Sequence, residues 1–389
     1  MIRRRKLLGC CQWIVVIFLL SSCALPTAPT APPAPTLIGD DLDAESLRAA
    51  IRHSLAYLQK LPADRVVGVE PRRLTAADVR SSLIAFERLL NQRSCAECLA
   101  REIASRFELI PSNADPELSK VLFTGYYQPV IEGSLAATEV YRFPIYGKPA
   151  DLGTSAPDKN GESIVERKEQ EHLVPYYSRQ QIDAFGALQG RGLEIAWVRD
   201  PIDVFFLHIQ GSGIIRLPDG GQLSVGYAAQ NGLPYRSIGR LLIDNGKIAK
   251  EEMSMQRLRQ YLTDNPQERD EIFAYNESYV FFRVIDGGPL GSLGVPVTAG
   301  RSIATDYRLF PKGALALIET AIPIIDQAGR LAGWRPMRRL MLNQDTGGAI
   351  RGLQRGDIYF GTGEQAGGLA GYMNRHGRMF FLLLKNNQD

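Results

Sequence analysis

From Leu122 to the C-terminus the chain is cut into short apolar runs, each soon stopped by Gly, Pro or Asp. The runs "LFTGYYQPVIEG", "RFPIYG" and "DVFFLHIQGSGIIRLPDGGQLSVGYA" come first, and "YVFFRVI", "GVPVTAG", "ALALIE", "RRLMLNQD", "DIYFGTG" and "RMFFLLLK" follow. Strands this short are stable only if their edges are paired or closed, so the pattern predicts small barrels or sandwiches. A mature part of about 350 residues suggests two domains rather than one. The first set of strands reads as one β unit and the last set as a second, closed barrel.

Two stretches read as helical. Residues 41–108 contain "DAESLRAAIRHSLAYLQKL", with apolar positions at helical spacing, and "TAADVRSSLIAFERLL", which opens with Thr75 and Asp78 in a capping-box arrangement. A second interlude, "SIGRLLIDNGKIAKEEMSMQRLRQYLTDNP", ends at Asn265–Pro266. Residues 151–172 are polar enough to predict a mobile surface loop. The chain is expected to be mainly β with N-terminal helices, an α+β class.

The first 22 residues carry Arg3, Arg4, Arg5 and Lys6, then an apolar run to Leu20, which is an export signal. The run is too short to read as a stable membrane span. It ends in "LSSC", which resembles a bacterial lipobox with Cys23 as the lipidated first residue, unless Cys23 is incidental to an ordinary signal. "ALPTAPTAPPAPT" then favours extended polyproline II, a semi-rigid spacer. Residues 23–40 are therefore expected to be a lipid-anchored linker, and the membrane a partner through Cys23.

The chain is formally +3, but loss of the four basic residues of the signal leaves 41 basic against 42 acidic side chains. A near-neutral protein without a basic cluster is a poor nucleic-acid binder. Cys95 and Cys98 remain as "CAEC", for which a local disulfide or two idle thiols fit better than a redox role. His53, His172, His208 and His376 are far apart, and no H-E-x-x-H, G-x-S-x-G, dinucleotide or calcium-loop pattern occurs. Neither a metal nor a cofactor is expected.

What remains is Asp345 and Asp357, each at the end or start of a strand-like run in a glycine-rich stretch. Both can sit on one rim of a barrel. Asp345 in "DTGG" is equally suited to an Asx turn with its own backbone, and Asp357 to a solvent-facing strand start. An acid flanked by Ile358, Tyr359 and Phe360 would be partly desolvated, which readies it as a general acid. The D-T-G triplet also occurs in aspartic peptidases, but a single copy would require a homodimer.

The segments "GYYQPVI", "AWVRDPIDVFFLHIQGSG", "YRSIGRLLIDNGKI", "EEMSMQRLRQYL", "NESYVFFR", "AGRSIATD" and "DTGGAIRGLQRGDIYFGTGEQAGGLAGYMNRHGR" resemble, in the same order, the MltA family of membrane-bound lytic transglycosylases. The final segment resembles its 3D domain. The resemblance implies a double-psi β-barrel with a second β-barrel inserted and a glycan groove between them. Residues 41–121 would begin the first domain, 122–236 form the insert, and 237–389 complete the first, with the 3D segment at about 280–385. It also puts the family's single catalytic acid on Asp357 and a supporting aspartate on Asp345, hydrogen-bonding Asp357 or the sugar.

The implied activity is cleavage of the β-1,4 bond between N-acetylmuramic acid and N-acetylglucosamine, giving a 1,6-anhydro product without water. The implied partners are peptidoglycan glycan strands and other cell-wall enzymes, and the implied place is the periplasmic face of the outer membrane. Tyr126 and Tyr127 are candidates to stack on sugar rings, or else core residues. Gln210 and Ser212 sit on a glycine turn suited to an acetamido group, or form a plain hairpin. Tyr235 and Arg236 precede a helix for which Ser237 reads as the N-cap. The amides of Gly347 and Gly348 can stabilise developing charge. A non-catalytic peptidoglycan-binding lipoprotein is the alternative to the enzyme, and a dimeric aspartic peptidase a further one.

Overall fold

Helix α1 (Ala44–Leu58) starts where Asp43 accepts the Ser46 N–H, and its apolar stripe of Leu47, Ile51, Leu55 and Leu58 is buried. The structure, a computed structural model, describes residues 39–385 apart from 93–94, 114, 116–119, 155–164 and 170–171. The expected signal, Cys23 and the linker up to residue 38 lie outside the described residues.

A short antiparallel pair, β1 (Val66–Gly68) and β2 (Leu74–Thr75), leads into α2 (Ala76–Asn91). The Thr75–Asp78 capping box is formed reciprocally, as the sequence predicts. Helix α3 (Ala96–Arg106) begins at Cys95, which is disulfide-bonded to Cys98 across its first turn. Next come β3 (Phe107–Pro111) and β4 (Val121–Gln128).

The chain then builds a second unit. Its strands are β5 (Val130–Ser134), β6 (Phe143–Tyr146), β7 (Gly153–Thr154), β8 (Val165–Glu169) and β9 (His172–Pro175). After α4 (Arg179–Asp183) come β10 (Glu194–Val198), α5 (Pro201–Gln210), β11 (Ser212–Arg216) and β12 (Gln222–Gln230). Three helices, α6 (Ile238–Asp244), α7 (Met255–Asp264) and α8 (Arg269–Tyr275), precede β13 (Val280–Val284). Six of these strands form one sheet in the order β13-β12-β11-β5-β10-β6, and a bridge from Gly147 to Phe282 brings its two edges together.

The return to the first unit gives β14 (Ser302–Ala304), β15 (Leu315–Ile325), β16 (Leu331–Asp345), β17 (Arg355–Thr362), α9 (Glu364–Tyr372) and β18 (Asn374–Leu384). The order β15-β16-β14-β17-β4-β18, with β18 pairing back onto β15, is a closed six-stranded barrel. Closure leaves no free edge. β14 with β16 and β17 with β4 are parallel, and the remaining pairs antiparallel. One core cluster joins the barrel interior to α1 and α2.

β4 pairs within the barrel and β13 within the second sheet, so that sheet is drawn from Val130–Val284. Two expectations need correction. The run "DVFFLHIQ" is not a strand but most of α5. Asp200 accepts the Ile202 N–H, Pro201 occupies the first turn, and Gly211 ends the helix at a left-handed φ of 76°. One face of α5 packs on the second sheet through Val204 and Leu207, another on the helices through Ile202, Phe205 and Phe206. With no polar face, its sequence lacks the helical period. Within 151–172, β7, β8 and β9 form a three-stranded antiparallel sheet, with 155–164 and 170–171 outside the described residues.

Two arginines fasten the approach to α1 onto the barrel. Arg301, fully buried, donates to Asp40 at 2.6 Å, to the Leu340 and Asp43 carbonyls and to Ser46. Arg339 pairs with both oxygens of Asp41, at 2.6 and 2.9 Å. Arg301→Ala strands a partly buried carboxylate and two carbonyls and is expected to lose about 3 kcal/mol of stability, read by urea denaturation.

Candidate active site

The two candidate acids are aligned by strand register. Ala304 of β14 is opposite Asp345 on one side and Asp357 on the other, and Asp357 is opposite Thr124 of β4. Four residues on four neighbouring strands thus form a row, at a strand spacing of about 4.8 Å. The acids are expected on one rim, and that is where the register puts them.

Asp357 Oδ1 accepts from the Thr124 hydroxyl and, at 3.3 Å, from Arg355 Nε, while a terminal nitrogen of Arg355 donates to Thr124 Oγ1 at 3.0 Å. The Asp357 side chain is 18% exposed and that of Arg355 31%, so the group opens on one side only. The next residues, Ile358 and Tyr359, are both buried. Tyr235, from the segment before α6, is 38% exposed, and the charges of Arg355 and Asp357 both act on its hydroxyl. The second unit therefore faces the barrel at Asp357.

Asp345 is held by its surroundings. Oδ2 accepts the Tyr126 hydroxyl at 2.8 Å, and Oδ1 accepts the N–H groups of Ser292 and Thr346, each at 2.8 Å. Burial raises its carboxyl above the ordinary 3.8, and these three hydrogen bonds pull the other way. Of the two expected partners, Asp357 and the sugar, Asp357 is not among its hydrogen bonds, and the Tyr126 hydroxyl feels the charge of both acids. Burial, then Asp345, pushes the Tyr126 hydroxyl well up, which keeps it a donor.

The preceding residues explain why "NQD" is spelled as it is. Asn343 receives the Thr305 hydroxyl and donates to the Pro311 carbonyl. Gln344 receives Ser302 and donates to Ala50 O and Ser54 of α1. Ser292 reaches Asp345 because Gly291 lets its loop lie on the Gln344 backbone, where an added Cβ would stand 2.5 Å from the carbonyl oxygen.

The binding candidates divide. β4 alternates, so Thr124 and Tyr126 share the acid side, while Tyr127 lies over Gly367 of α9 on the other. Tyr126 packs on Tyr359 with ring centroids 5.1 Å apart. Gln210 is the last residue of α5, not part of a turn, and accepts the Tyr127 N–H at 3.0 Å. Ser212 opens β11, half-buried opposite Gly226. Ser237 caps α6, and Arg236 is paired with Glu277 at 3.3 Å. Gly347 and Gly348 lie in the turn after β16, half-buried and exposed respectively.

Sequence reasoning missed Thr124, Arg355, Ser292 and Asp306. Thr124 is two residues before Tyr126 and so shares its face. Asp306, with its side chain wholly buried, takes the Gly352 N–H at 2.8 Å and pairs with Arg308 at 2.9 Å. Although burial alone would raise it, those bonds hold its carboxyl below the ordinary value. It anchors the turn that follows Asp345.

Residues 122–283 match the MltA specific insert domain, and residues 301–383 match the 3D domain. The chain is 37% identical over 265 residues to membrane-bound lytic murein transglycosylase A of Escherichia coli K12, a region that is 67% of this chain and 65% of that protein. The matched region thus spans just under two thirds of that relative. A crystal structure of membrane-bound lytic murein transglycosylase from Agrobacterium tumefaciens superposes with a TM-score of 0.73 at 32% identity, covering 88% of this chain and 93% of that one. The structure of E. coli MltA with bound chitohexaose gives 0.69 at 29% identity, covering 91% and 93%.

The raised Asp345 carboxyl has a stability consequence. Its folded-state value lies above the unfolded one, so its contribution is complete below about 3.8 and is lost as pH rises through the folded value. The stability difference between the parent and Asp345→Asn is therefore expected to move in the variant's favour as pH rises from below 3.8 to neutral, as paired urea melts at the two pH values will read.

Proposed function

Because the chain belongs to the MltA family, we propose that it is a peptidoglycan lytic transglycosylase. It cleaves the β-1,4 bond between N-acetylmuramic acid and N-acetylglucosamine and leaves a 1,6-anhydromuramyl end. The observation that carries this reading is a single partly exposed acid, Asp357, facing Tyr235 of the second unit, with the other rim acid saturated by donors.

Most glycosidases need two carboxyl groups, one as acid and one to direct water or attack. Asp345, with both oxygens engaged, is poorly placed for the second task. The muramyl C6 hydroxyl replaces it. Asp357 gives its proton to the glycosidic oxygen as the C1–O bond breaks, and the C6 oxygen closes onto C1. The Asp357 carboxylate then takes the C6 hydroxyl proton, so the acid is restored and no water is consumed. An attacking group within the same sugar has a high effective concentration, which is why one carboxyl suffices.

Asp345 and Tyr126 fix the rim beside Asp357, Tyr235 meets the sugar, and Ser212 with the Gly347 and Gly348 amides contacts polar groups of the glycan. Tyr127 and Gln210 serve by binding each other, which fixes α5 against β4. No helix among the described residues is long and apolar enough to cross a membrane. Lipidated Cys23 is the proposed anchor, on the periplasmic face of the outer membrane, with the proline-rich linker as spacer. Asp357→Asn should lower release of anhydromuropeptides from sacculi by at least about a thousandfold, with melting temperature and glycan binding retained. Wild-type turnover in that variant refutes the assignment.

A further inference from the structure

Arg355 opens β17 and has no part in the chemistry above, yet it contacts the acid. Its Nε donates to Asp357 Oδ1 at 3.3 Å and a terminal nitrogen to Thr124 Oγ1 at 3.0 Å. The Thr124 hydroxyl, with Arg355 on its oxygen, directs its one hydrogen to the same Asp357 Oδ1. Both hydrogen bonds fall on Oδ1, so Oδ2 is the oxygen left to carry the proton and give it to the glycosidic oxygen. Arg355 thus stands against the acid without engaging the oxygen that donates.

The guanidinium is 31% exposed on a flexible stem, and an ion pair of that exposure is weak and easily exchanged. A guanidinium binds a planar carboxylate by two parallel hydrogen bonds, a better contact than the single long one to Asp357. The glycan backbone of peptidoglycan is uncharged, and its carboxylates lie on the peptide stems of the muramyl sugars beside the scissile bond. Arg236, the other arginine near Tyr235, already has Glu277 as a partner at 3.3 Å. Resting on the lytic transglycosylase reading, we infer that Arg355 is the receptor for a stem carboxylate. A stem held there sets its muramyl linkage beside Asp357.

The test measures anhydro-product release by the full-length enzyme from three substrates: strands with stems, strands stripped of stems by an amidase, and strands whose stem carboxylates are chemically amidated. Wild type should favour the first over the other two by about tenfold, mainly in kcat, as one exchanged charge-assisted contact allows. Arg355→Ala should bring the three rates within about twofold of each other, and Arg355→Lys should keep part of the preference. Equal wild-type rates on native and amidated stems overturn the inference without any variant, as does an undiminished preference in Arg355→Ala. If wild type yields no anhydro product from any substrate, the parent reading falls, and this one with it.

Discussion

The parallel hydrogen-bonded pairing of β17 with β4 sets Asp357 opposite Thr124, and the site depends on that register. A slip of one residue would turn every side chain of β17 to the other face. Asp357 would then enter a core lined by Phe123 and Ile303, where Gly356 now fits, an added Cβ there standing 3.1 Å from Ile303 and 3.3 Å from Phe123. The same register, carried through β14 to β16, puts Asp345 at the far end of the row. Closing the barrel by β15 and β18 makes such a slip costly, since a shift in one strand must be matched around the ring.

The proposed division of labour between two chemically identical groups follows from their surroundings. Asp345 ends its strand and meets a tyrosine hydroxyl and two amides; Asp357 starts its strand and meets a threonine, an arginine and an opening. Buried polar groups require partners, and Asp345 has them. That leaves it little capacity for substrate and makes it a fixed element against which Tyr126 and Tyr359 pack.

Much of this was legible in the sequence because it is local. The Thr75–Asp78 box, the Ser237 cap and the helix end at Asn265 are set by residues a few positions apart. Asp345 and Asp357 stood out because few other chemistries were open to the chain. What failed was non-local. Helix α5 reads as a strand since both its faces are buried, and only Asp200, Pro201 and Gly211 mark its ends. β4 is adjacent in sequence to the second unit but pairs across more than two hundred positions with β17, which no short-range pattern encodes. Ser292 reaches Asp345 through a backbone N–H, a contact that leaves no trace in side-chain identity.

The proposed chemistry takes its one acid from a barrel rim that the second unit faces, and its nucleophile from the substrate. The most direct test is mass spectrometry of the products of sacculi digested in water enriched in heavy oxygen. The account predicts muramyl ends one water lighter than the reducing sugar and free of the heavy isotope. Reducing muramyl ends that carry the label would show that water attacks, and would contradict it.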